Sequence, residues 1–394
     1  MKDKLIRLLK NNKVLYKIYY FCGSTFLYFV SIFVRTDNKL IIFNSFGGKK
    51  YDDSPKEIHE KIIKDSRFND YKIIWAFHSP NLLNVDGAKS IKTDTIKYFY
   101  YTLKAKCWIT NSTIERALRY KNKNTFYFNT WHGTPIKKMG TDIEKDKRFL
   151  DAGEKVKWKV DLMCAQGVYD ATIFSRAFNI DYDKFVISGL PRNDILANYN
   201  DNYKQQLKIK LNIPLNKKVI LYAPTFREFD KDKKLNCVIK PPIDFEKWKS
   251  EISDEYILLL RAHYEVSKIL NIKTDDFLYD FSDYECLNDL MVVSDILISD
   301  YSSIYFDYSV MGKPMLCFAY DYDKYMENRG MYIDIREEFP CEIAYDESAL
   351  LDQILNLDYE KMSSATIQFR DKYIEEYGNA TNICVDKIWE NIKE

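Results

Sequence analysis

Short apolar runs recur along the chain from residue 39 onward and alternate with longer stretches of mixed polar and apolar residues. The runs are rich in β-branched and aromatic residues, which is typical of strands. They are nearly continuous rather than alternating, which indicates parallel strands covered by helices on both faces. The predicted strands of the first half are residues 40–46, 71–77, 107–111, 125–131, 160–165 and 185–189.

A second series of apolar runs follows residue 217, and the spacing between the runs again leaves room for a helix. A chain of 394 residues is also long for a single core. We therefore predict two doubly wound α/β domains, with a hinge in the Pro-containing polar segment 190–217. The predicted strands of the second half are residues 219–225, 256–263, 295–301 and 314–320.

The first 36 residues have a different pattern. Basic residues at positions 2, 4, 7, 10, 13 and 17 interleave with Leu and Ile at helical spacing, and residues 19–34 carry no charge. This uncharged run is shorter than the roughly 20 residues of a typical membrane span. We predict a helical segment that lies on the anionic surface of a membrane. A true span, a helix buried in the core and a signal peptide are the alternatives, although no small-residue cleavage site follows.

These patterns predict three units, namely a membrane-associating segment 1–36, an N-terminal domain 37–200 and a C-terminal domain 201–394. Lys plus Arg number 59 against 58 for Asp plus Glu, so the overall charge does not indicate a nucleic-acid partner. The eight cysteines include no CxxC pair, which favours buried thiols in a reducing compartment over a zinc site.

Polar clusters follow several predicted strands, where ligands of open α/β sheets bind. The clusters are TWHGTP, APTFRE, RAH and SDYSS. His132 and His263 lie in different halves, and a neutral imidazole is suited to take a proton from an alcohol near pH 7. Gly133 permits close backbone approach, and Thr134 offers a hydroxyl. The alternative for His132 is a core histidine packed against Trp131.

The clusters of the second half suggest an anion site. Arg261 and His263 alternate at the end of an apolar strand and so point to the same side, where a charge needs a pyrophosphate or a buried carboxylate as partner. Ser302 and Ser303 precede a predicted helix, where hydroxyls and free N–H groups bind anions, or where a serine simply caps the helix. Asp307, one turn on, is placed to accept hydrogen bonds from sugar hydroxyls.

The segments NTWHGTPIKKMGTD, SGLPRND, ILYAPTFRE, LLLRAH and ISDYSSIYFDYSVMGKP, in this order, resemble the CDP-glycerol glycerophosphotransferase family of teichoic-acid synthesis. The resemblance is strong over residues 105–345. It implies a GT-B-like fold, in which two Rossmann-type domains face a cleft. It also implies a CDP-polyol donor held mainly by the C-terminal domain and an acceptor held mainly by the N-terminal one.

The matching motif positions imply roles for individual residues. His132 becomes the expected base, and His263 the second catalytic residue, which balances charge on the pyrophosphate. The implied substrate-binding residues are Trp131, Gly133, Thr134, Pro135, Arg192, Pro224, Thr225, Arg261, Ala262, Ser302, Ser303 and Asp307. No carboxylate cluster indicates a metal cage, so we expect no tightly bound cofactor, and Mg²⁺ only as a loose companion of the donor.

The implied function is transfer of glycerol phosphate from CDP-glycerol to a hydroxyl of a lipid-linked (undecaprenyl-diphosphate) teichoic-acid or capsule acceptor, with release of CMP. The enzyme is expected at the cytoplasmic face of the membrane. A CDP-ribitol-dependent transferase, a GT-B glycosyltransferase with a nucleotide-sugar donor, and a non-catalytic binding module are the alternatives. The absence of P-loop, GxGxxG and GxSxG motifs disfavours kinases, simple dehydrogenases and α/β-hydrolases.

Overall fold

The computed structural model describes residues 12–143, 158–225, 227, 241–262, 274–328 and 330–393. This part of the chain contains two parallel β-sheets. The predicted α/β class with two doubly wound sheets is thereby confirmed.

The first sheet has seven strands, and every neighbouring pair is parallel. The strands are β1 (Asp37–Asn44), β2 (Lys72–Phe77), β3 (Lys89–Lys92), β4 (Ala105–Thr110), β5 (Phe126–Asn129), β6 (Leu162–Ala165) and β7 (Phe185–Ile187). Their order across the sheet is β3-β2-β1-β4-β5-β6-β7. The order reverses between β1 and β4, which leaves a crevice beyond the carboxyl ends of these two strands.

The second sheet repeats this arrangement with six strands. The strands are β8 (Lys218–Tyr222), β9 (Tyr256–Leu260), β10 (Leu278–Asp280), β11 (Ile296–Ser299), β12 (Met315–Phe318) and β13 (Ile343–Ala344). Their order is β10-β9-β8-β11-β12-β13, so the reversal lies between β8 and β11. Each sheet therefore has a Rossmann-type switch point.

Helices connect most consecutive strands, and several begin at a side-chain cap, such as Thr95, whose hydroxyl accepts from the Tyr98 N–H. The helices are α1 (Lys13–Phe33), α2 (Asp53–Ile62), α3 (Ile96–Lys104), α4 (Val168–Phe178), α5 (Asp194–Asn198), α6 (Asp201–Lys210), α7 (Phe245–Ile252), α8 (Leu287–Val293), α9 (Ile304–Ser309), α10 (Tyr322–Asn328), α11 (Ile335–Glu338), α12 (Glu347–Leu355), α13 (Tyr359–Tyr373) and α14 (Ala380–Ile392).

The first sheet buries both of its faces, because successive strand residues point to opposite sides. In β1, Ile42 belongs to one apolar cluster, whereas Ile41 and Phe43 belong to the cluster on the other face. The second sheet and its helices share one large apolar cluster. Below, the N-terminal lobe means the first sheet with its covering helices, and the C-terminal lobe means the second sheet with its own.

Helix α14 leaves the C-terminal lobe and packs on the first sheet, although the predicted C-terminal domain 201–394 included it. Cys384 and Ile388 of this helix are fully buried in the cluster around β1 and β2. The connecting segment passes tightly over Gly189, where a Cβ atom would lie 2.5 Å from the Glu376 carbonyl oxygen. The φ of +75° at Gly189 also favours glycine.

The predicted N-terminal helix is present in part, as α1, while residues 1–11 lie outside the described residues. Leu27 of α1 is 6% exposed, and Gly23 lies against the side chain of Leu118. The Tyr19 hydroxyl donates to the Arg116 carbonyl oxygen at 3.1 Å, which also ties α1 to the N-terminal lobe. Within the described ranges, no helix combines the length and apolar character required to cross a membrane.

Candidate functional site

The loops that follow β5 and β11 meet between the two lobes, close to both switch points. A Cβ atom on Gly133, after β5, would lie 2.8 Å from the Ser303 Oγ, after β11. Gly133 also has a φ of +143°. Only glycine therefore suits this point of closest approach, and the predicted contact of Gly133 with the donor stays a prediction.

His132 lies at this meeting point, and its imidazole has one ring nitrogen available. The Nδ1 lies 2.6 Å from the Asn111 carbonyl oxygen, which can only accept, so Nδ1 carries the proton in the neutral ring. The Nε2 then has a lone pair, and it has no hydrogen-bond partner among the described residues. The Trp131 ring stacks on the imidazole with ring centroids 4.1 Å apart. His132 thus packs against Trp131, as in the alternative of a core histidine, but its Nε2 stays available to accept a proton.

The surroundings of His132 keep its imidazole neutral. Burial lowers the pKa of His132, and the nearby Arg192 guanidinium acts in the same direction. The bond to the Asn111 carbonyl and the Asp53 carboxylate act in the opposite direction but do not prevail. A neutral imidazole with a free Nε2 is the form that accepts a proton.

Arg192 joins the two lobes beside this histidine. Its guanidinium contacts Asp53 of α2 at 2.5 Å and Asp307 of α9 at 2.7 Å. It also donates to the His132 carbonyl oxygen at 3.0 Å. The Asn288 side chain of the C-terminal lobe donates to the Arg192 carbonyl oxygen at 2.5 Å, so both ends of the residue are held.

Asp307 faces protein groups rather than open cleft. One carboxylate oxygen accepts from Arg192 and the other from the Asn193 amide, both at 2.7 Å. Burial raises the pKa of Asp307, whereas Arg192 and Asn193 lower it. The predicted contact with donor hydroxyls would require an exchange of these bonds, so it stays a prediction.

Thr134 and Pro135 turn into the N-terminal lobe. Thr134 is 1% exposed, and its hydroxyl donates to Asp170 at 3.1 Å and accepts from Gln166 at 2.7 Å. The Pro135 carbonyl oxygen accepts from the Tyr169 hydroxyl at 2.8 Å. These bonds support the loop that carries His132, whereas the sequence pattern suggested that Thr134 offers its hydroxyl to the substrate.

The C-terminal lobe supplies two further loops. Pro224 is buried, and the Thr225 N–H donates to Asp300 at 2.9 Å. The Thr225 hydroxyl is buried without a partner in the described part of the chain. The Ser302 hydroxyl accepts from the Ile304 N–H at 3.3 Å at the start of α9, so the capping alternative accounts for one of its bonds.

Arg261 and Ala262 directly follow β9 and lie beside the segment that follows β10. The Arg261 guanidinium donates to the Phe281 carbonyl oxygen at 3.1 Å and also to the Ser282 carbonyl. The Ala262 N–H donates to the Ser282 hydroxyl at 3.2 Å. Arg261 therefore bonds to backbone carbonyls rather than to the buried carboxylate considered as an alternative. His263, predicted as the second catalytic residue, lies outside the described residues.

A second arginine, Arg227, forms a buried cluster behind the Thr225 loop. Its guanidinium contacts Asp300 at 2.8 Å and Asp321 at 2.7 Å, and its side chain is 2% exposed. The rings of three tyrosines surround it, with centroids 4.9 to 5.4 Å from the guanidinium carbon. Asp300 also holds the Thr225 N–H, so this cluster fixes the loop.

Three residues that contact His132 or its neighbours were not identified from the sequence, namely Asp53, Asn111 and Asn129. Asp53 carries no distinct signal in the sequence, because YDDSP also suits an ordinary helix start. Asn111 ends the predicted strand 107–111, so the strand-end rule itself could have found it, whereas Asn129 lies two residues before the end of the predicted strand 125–131. Among the described residues, no group of three His, Cys, Asp or Glu side chains could hold a metal ion.

Several proteins that are similar in sequence to this chain are named as transferases or polymerases of teichoic acid. A teichoic acid glycerol-phosphate transferase of Staphylococcus aureus is 36% identical over 82% of this chain and 85% of its own length. A teichoic acid poly(glycerol phosphate) polymerase of Bacillus spizizenii is 34% identical over 98% of this chain and 100% of its own length. A poly(ribitol-phosphate) polymerase of Bacillus spizizenii is 33% identical over 55% of this chain.

The fold is also that of a solved relative, the wall teichoic acid polymerase TagF. A structure of a histidine variant of TagF superposes with a TM-score of 0.83 at 32% identity, covering 91% of this chain and 90% of that one. Another was determined after a soak with CDPG. The predicted GT-B-like arrangement is thus supported by a structure of the same kind.

The match to the family covers nearly the whole chain. Residues 26–390 match the family described as CDP-Glycerol:Poly(glycerophosphate) glycerophosphotransferase. The resemblance inferred from the five motifs and the prediction of a transferase are both confirmed. The chain belongs to the CDP-glycerol:poly(glycerophosphate) glycerophosphotransferase family.

Proposed function

We propose that this chain transfers glycerol phosphate from CDP-glycerol to a hydroxyl of a lipid-linked acceptor and releases CMP. The observation that carries the proposal is the free Nε2 of His132, held beside Arg192 and Ser303 where the two switch points meet. The names of the Staphylococcus aureus transferase and the Bacillus spizizenii poly(glycerol phosphate) polymerase, and the TagF soak with CDPG, support glycerol phosphate as the transferred group.

The reaction needs one proton acceptor and several donors to an anion. The acceptor hydroxyl passes its proton to the His132 Nε2, and its oxygen forms a bond to the phosphorus next to glycerol. The bond from that phosphorus to the bridging pyrophosphate oxygen breaks, and the oxygen leaves with CMP. His132 then returns its proton to solvent, so the enzyme is regenerated.

Positive and hydroxyl groups of the cleft are available for the charge that moves onto CMP. Arg192 lies beside the base, and Ser303, which follows Ser302 in the loop after β11, approaches Gly133 from the C-terminal lobe. Preorganised donors of this kind supply much of the catalysis of phosphoryl transfer. Arg261 contributes a further positive charge at the end of β9.

A donor comparison tests this function. CDP-glycerol, CDP-ribitol and a nucleotide sugar are each offered with a lipid-linked disaccharide, and release of CMP or of the nucleoside diphosphate is measured. We expect CMP release from CDP-glycerol. Preferential use of CDP-ribitol would show that ribitol phosphate is the transferred group, as in the ribitol-phosphate relative. Use of a nucleotide sugar alone would reject phosphoryl transfer.

Substitution of the proposed base tests the chemistry. We expect His132→Gln to lower kcat for CMP release about 10² to 10⁴-fold, because a general base contributes about that factor. His78→Gln is the matched control, since His78 also follows a strand of the first sheet, but its imidazole bonds to the Thr93 hydroxyl at 2.9 Å. Equal kcat values for the two variants would reject His132 as the base.

We also propose that α1 holds the enzyme on the cytoplasmic face of the membrane, where the lipid-linked acceptor is found. One side of α1 presents aromatic and aliphatic residues to solvent while Leu27 packs on the lobe. The large apolar residues of α1 that are at least 60% exposed are Val14, Phe21, Phe26, Tyr28, Phe29, Ile32 and Phe33. Apolar helices of this kind, with basic neighbours, bind the interface of anionic bilayers.

Flotation with liposomes tests the membrane proposal without removing α1. We expect Phe21→Ser with Phe29→Ser and Phe33→Ser to reduce binding to anionic vesicles, because the variant loses apolar area that would enter the interface. Leu355→Ser with Ile209→Ser is the control, since these residues are 55% and 62% exposed on other helices. Equal flotation of both variants and the wild type would show that α1 is not the contact.

A further inference from the structure

Two buried asparagines lie at the carboxyl ends of the neighbouring strands β4 and β5, close to His132. Asn111 follows β4, Asn129 ends β5, and both side chains are fully buried. Each side-chain oxygen accepts a hydrogen bond from the backbone N–H of an aromatic residue. Asn111 accepts from Phe46 and Asn129 from Trp131, both at 2.8 Å.

The two aromatic residues have a backbone conformation that needs such support. Phe46 has a φ of 46° and Trp131 a φ of 50°, in the left-handed region that bulky residues rarely adopt. Residues in this region persist only when their surroundings fix them. The asparagine bonds supply this restraint, and the Ser112 hydroxyl extends it by accepting from the Gly47 N–H at 3.0 Å.

The rings that are fixed in this way enclose the imidazole of His132. The Trp131 ring stacks on it at a centroid distance of 4.1 Å and an angle of 27°. The Phe46 ring is 5.7 Å away and tilted by 53°. The Asn111 carbonyl oxygen accepts from the third side, through Nδ1. All three restraints on the ring therefore pass through Asn111 or Asn129.

We propose that Asn111 and Asn129 are positioning residues for His132, and that they act by holding Phe46 and Trp131 against its ring. The proposal rests on the proposed function of His132 as the base. A ring held between two aromatic walls presents its Nε2 in one direction, toward the incoming hydroxyl. Misplacement of a reacting group by about 1 Å is enough to lower a rate about 100-fold.

The hydrogen bonds of Asn111 argue for this role over a purely structural one. Its amide nitrogen is buried without a partner in the described part of the chain. An unpaired buried donor lowers stability, so the fold alone would be served as well by an apolar side chain. What such a side chain cannot supply is the acceptor for the Phe46 N–H.

The same enclosure sets the protonation of the base. Burial between the rings is the main cause of the lowered pKa of His132. The charged groups that face it are the Asp53 carboxylate, which raises the pKa, and the Arg192 guanidinium, which lowers it. Loosening of either wall admits water and shifts the pKa back toward its ordinary value.

The experiment compares Asn111→Leu and Asn129→Leu with Asn44→Leu. Asn44 is the matched control, because it ends β1 and is 1% exposed, and its amide donates to the Ala76 carbonyl oxygen at 2.9 Å instead of accepting from the Phe46 or Trp131 N–H. The readouts are kcat and KM for CMP release from CDP-glycerol, and the titration of His132 by NMR of ¹³C-labelled histidine. The chain has four histidines, so His132→Gln identifies the signal.

We expect kcat to fall about 10- to 100-fold in Asn111→Leu and Asn129→Leu, with KM for CDP-glycerol within about twofold. We expect the pKa of His132 to rise in both, and both readouts to stay at wild-type values in Asn44→Leu. Phe46→Leu, on a partly exposed loop, serves if a buried variant does not fold, and should raise the pKa of His132 in the same direction.

A His132 titration that is unchanged in the asparagine variants and in Phe46→Leu would overturn the proposal. A loss of kcat no larger than that of Asn44→Leu would do the same. The titration needs no substrate, so it separates this proposal from the proposed function. A wild-type enzyme that releases no CMP from CDP-glycerol refutes the function, while the titration still decides the positioning.

Discussion

Arg192 and Arg227 are each held between two aspartates, yet the surroundings of the two guanidinium groups differ. The Arg192 side chain is 14% exposed, and its aspartate partners come from different lobes. The Arg227 side chain is 2% exposed, and its partners both belong to the C-terminal lobe. Tyrosine rings close off Arg227, whereas Arg192 donates to the backbone of His132. The same charge pattern thus supports a loop in one place and borders an open cleft in the other.

The comparison shows why a buried ion pair by itself does not identify a site. Both clusters place one positive charge between two negative ones in a region with little water. The two differ in the greater accessibility of Arg192, in its partners from both lobes and its contact with the His132 backbone, and in the tyrosine rings that surround Arg227. Substitutions at the two arginines should therefore separate stability from activity.

The largest effect on stability is expected for Arg227→Met. It leaves Asp300 and Asp321 buried without their positive partner, and loss of one member of a buried pair costs about 3–5 kcal/mol. Urea denaturation measures the free energy of unfolding. Arg176→Met is the control. The Arg176 side chain is 55% exposed, so its ion pair with Asp142 should contribute little to stability. Similar unfolding midpoints for the two variants would contradict the structural role of Arg227.

Compared with Arg227→Met, Arg192→Lys is expected to lower stability less and catalysis more. Lysine keeps the charge but cannot contact two carboxylates and a carbonyl with one planar group. We expect kcat/KM to fall about 10- to 100-fold, which corresponds to the roughly 1.5–3 kcal/mol of a hydrogen bond to a charged group. Unchanged kcat/KM together with an Arg227-like loss of stability would make both arginines structural.

The smallest effect is expected at Asp170, and it is a change in how the stability depends on pH. Asp170 extends the comparison of the two arginine clusters, because it is a buried carboxyl without a positive partner. Burial raises the pKa of Asp170 to about 7, and one of its oxygens has no partner in the described part of the chain. Because the folded pKa exceeds the unfolded value, the contribution of Asp170 to stability is present below about pH 4 and is lost as the pH rises through 7.

Asp170→Asn removes this titration. The difference in Tm between the wild type and the variant should therefore change in favour of the variant between pH 5 and pH 8. Thermal unfolding of both proteins at these two pH values checks the prediction. A difference in Tm that stays constant, or moves toward the wild type, would show that Asp170 does not titrate in this range.

Much of the fold follows from the apolar runs, since each predicted strand overlaps an observed one. The strands that were missed are β3, β10 and β13, which are short edge or near-edge strands. In β3, the residues 89–92 include one buried apolar side chain, Ile91. Two residues suffice for β13. Strands of this kind are formed by pairing with a neighbour and leave almost no apolar pattern.

The loops of the site were also predictable, but the direction of each side chain was not. Strand-end position found His132 and Ser303, because the crevice of a doubly wound sheet is fixed by topology. Thr134 and Asp307 turned out to face protein partners, since Asp170 and Arg192 reach them from distant segments. Such contacts join residues 36 and 115 positions apart, and no local pattern reports them.

The return of α14 to the first sheet bears on how the chain folds during synthesis. The Tyr71 hydroxyl bonds to the Ile392 carbonyl oxygen across 321 residues of chain. At about 5–20 residues per second, the ribosome needs about 20 to 60 s to make that stretch. The C-terminal lobe between α6 and α13 is continuous in sequence and can close first. The N-terminal lobe, although made earlier, keeps the apolar face around β1 and β2 uncovered until α14 emerges, so this lobe is completed last.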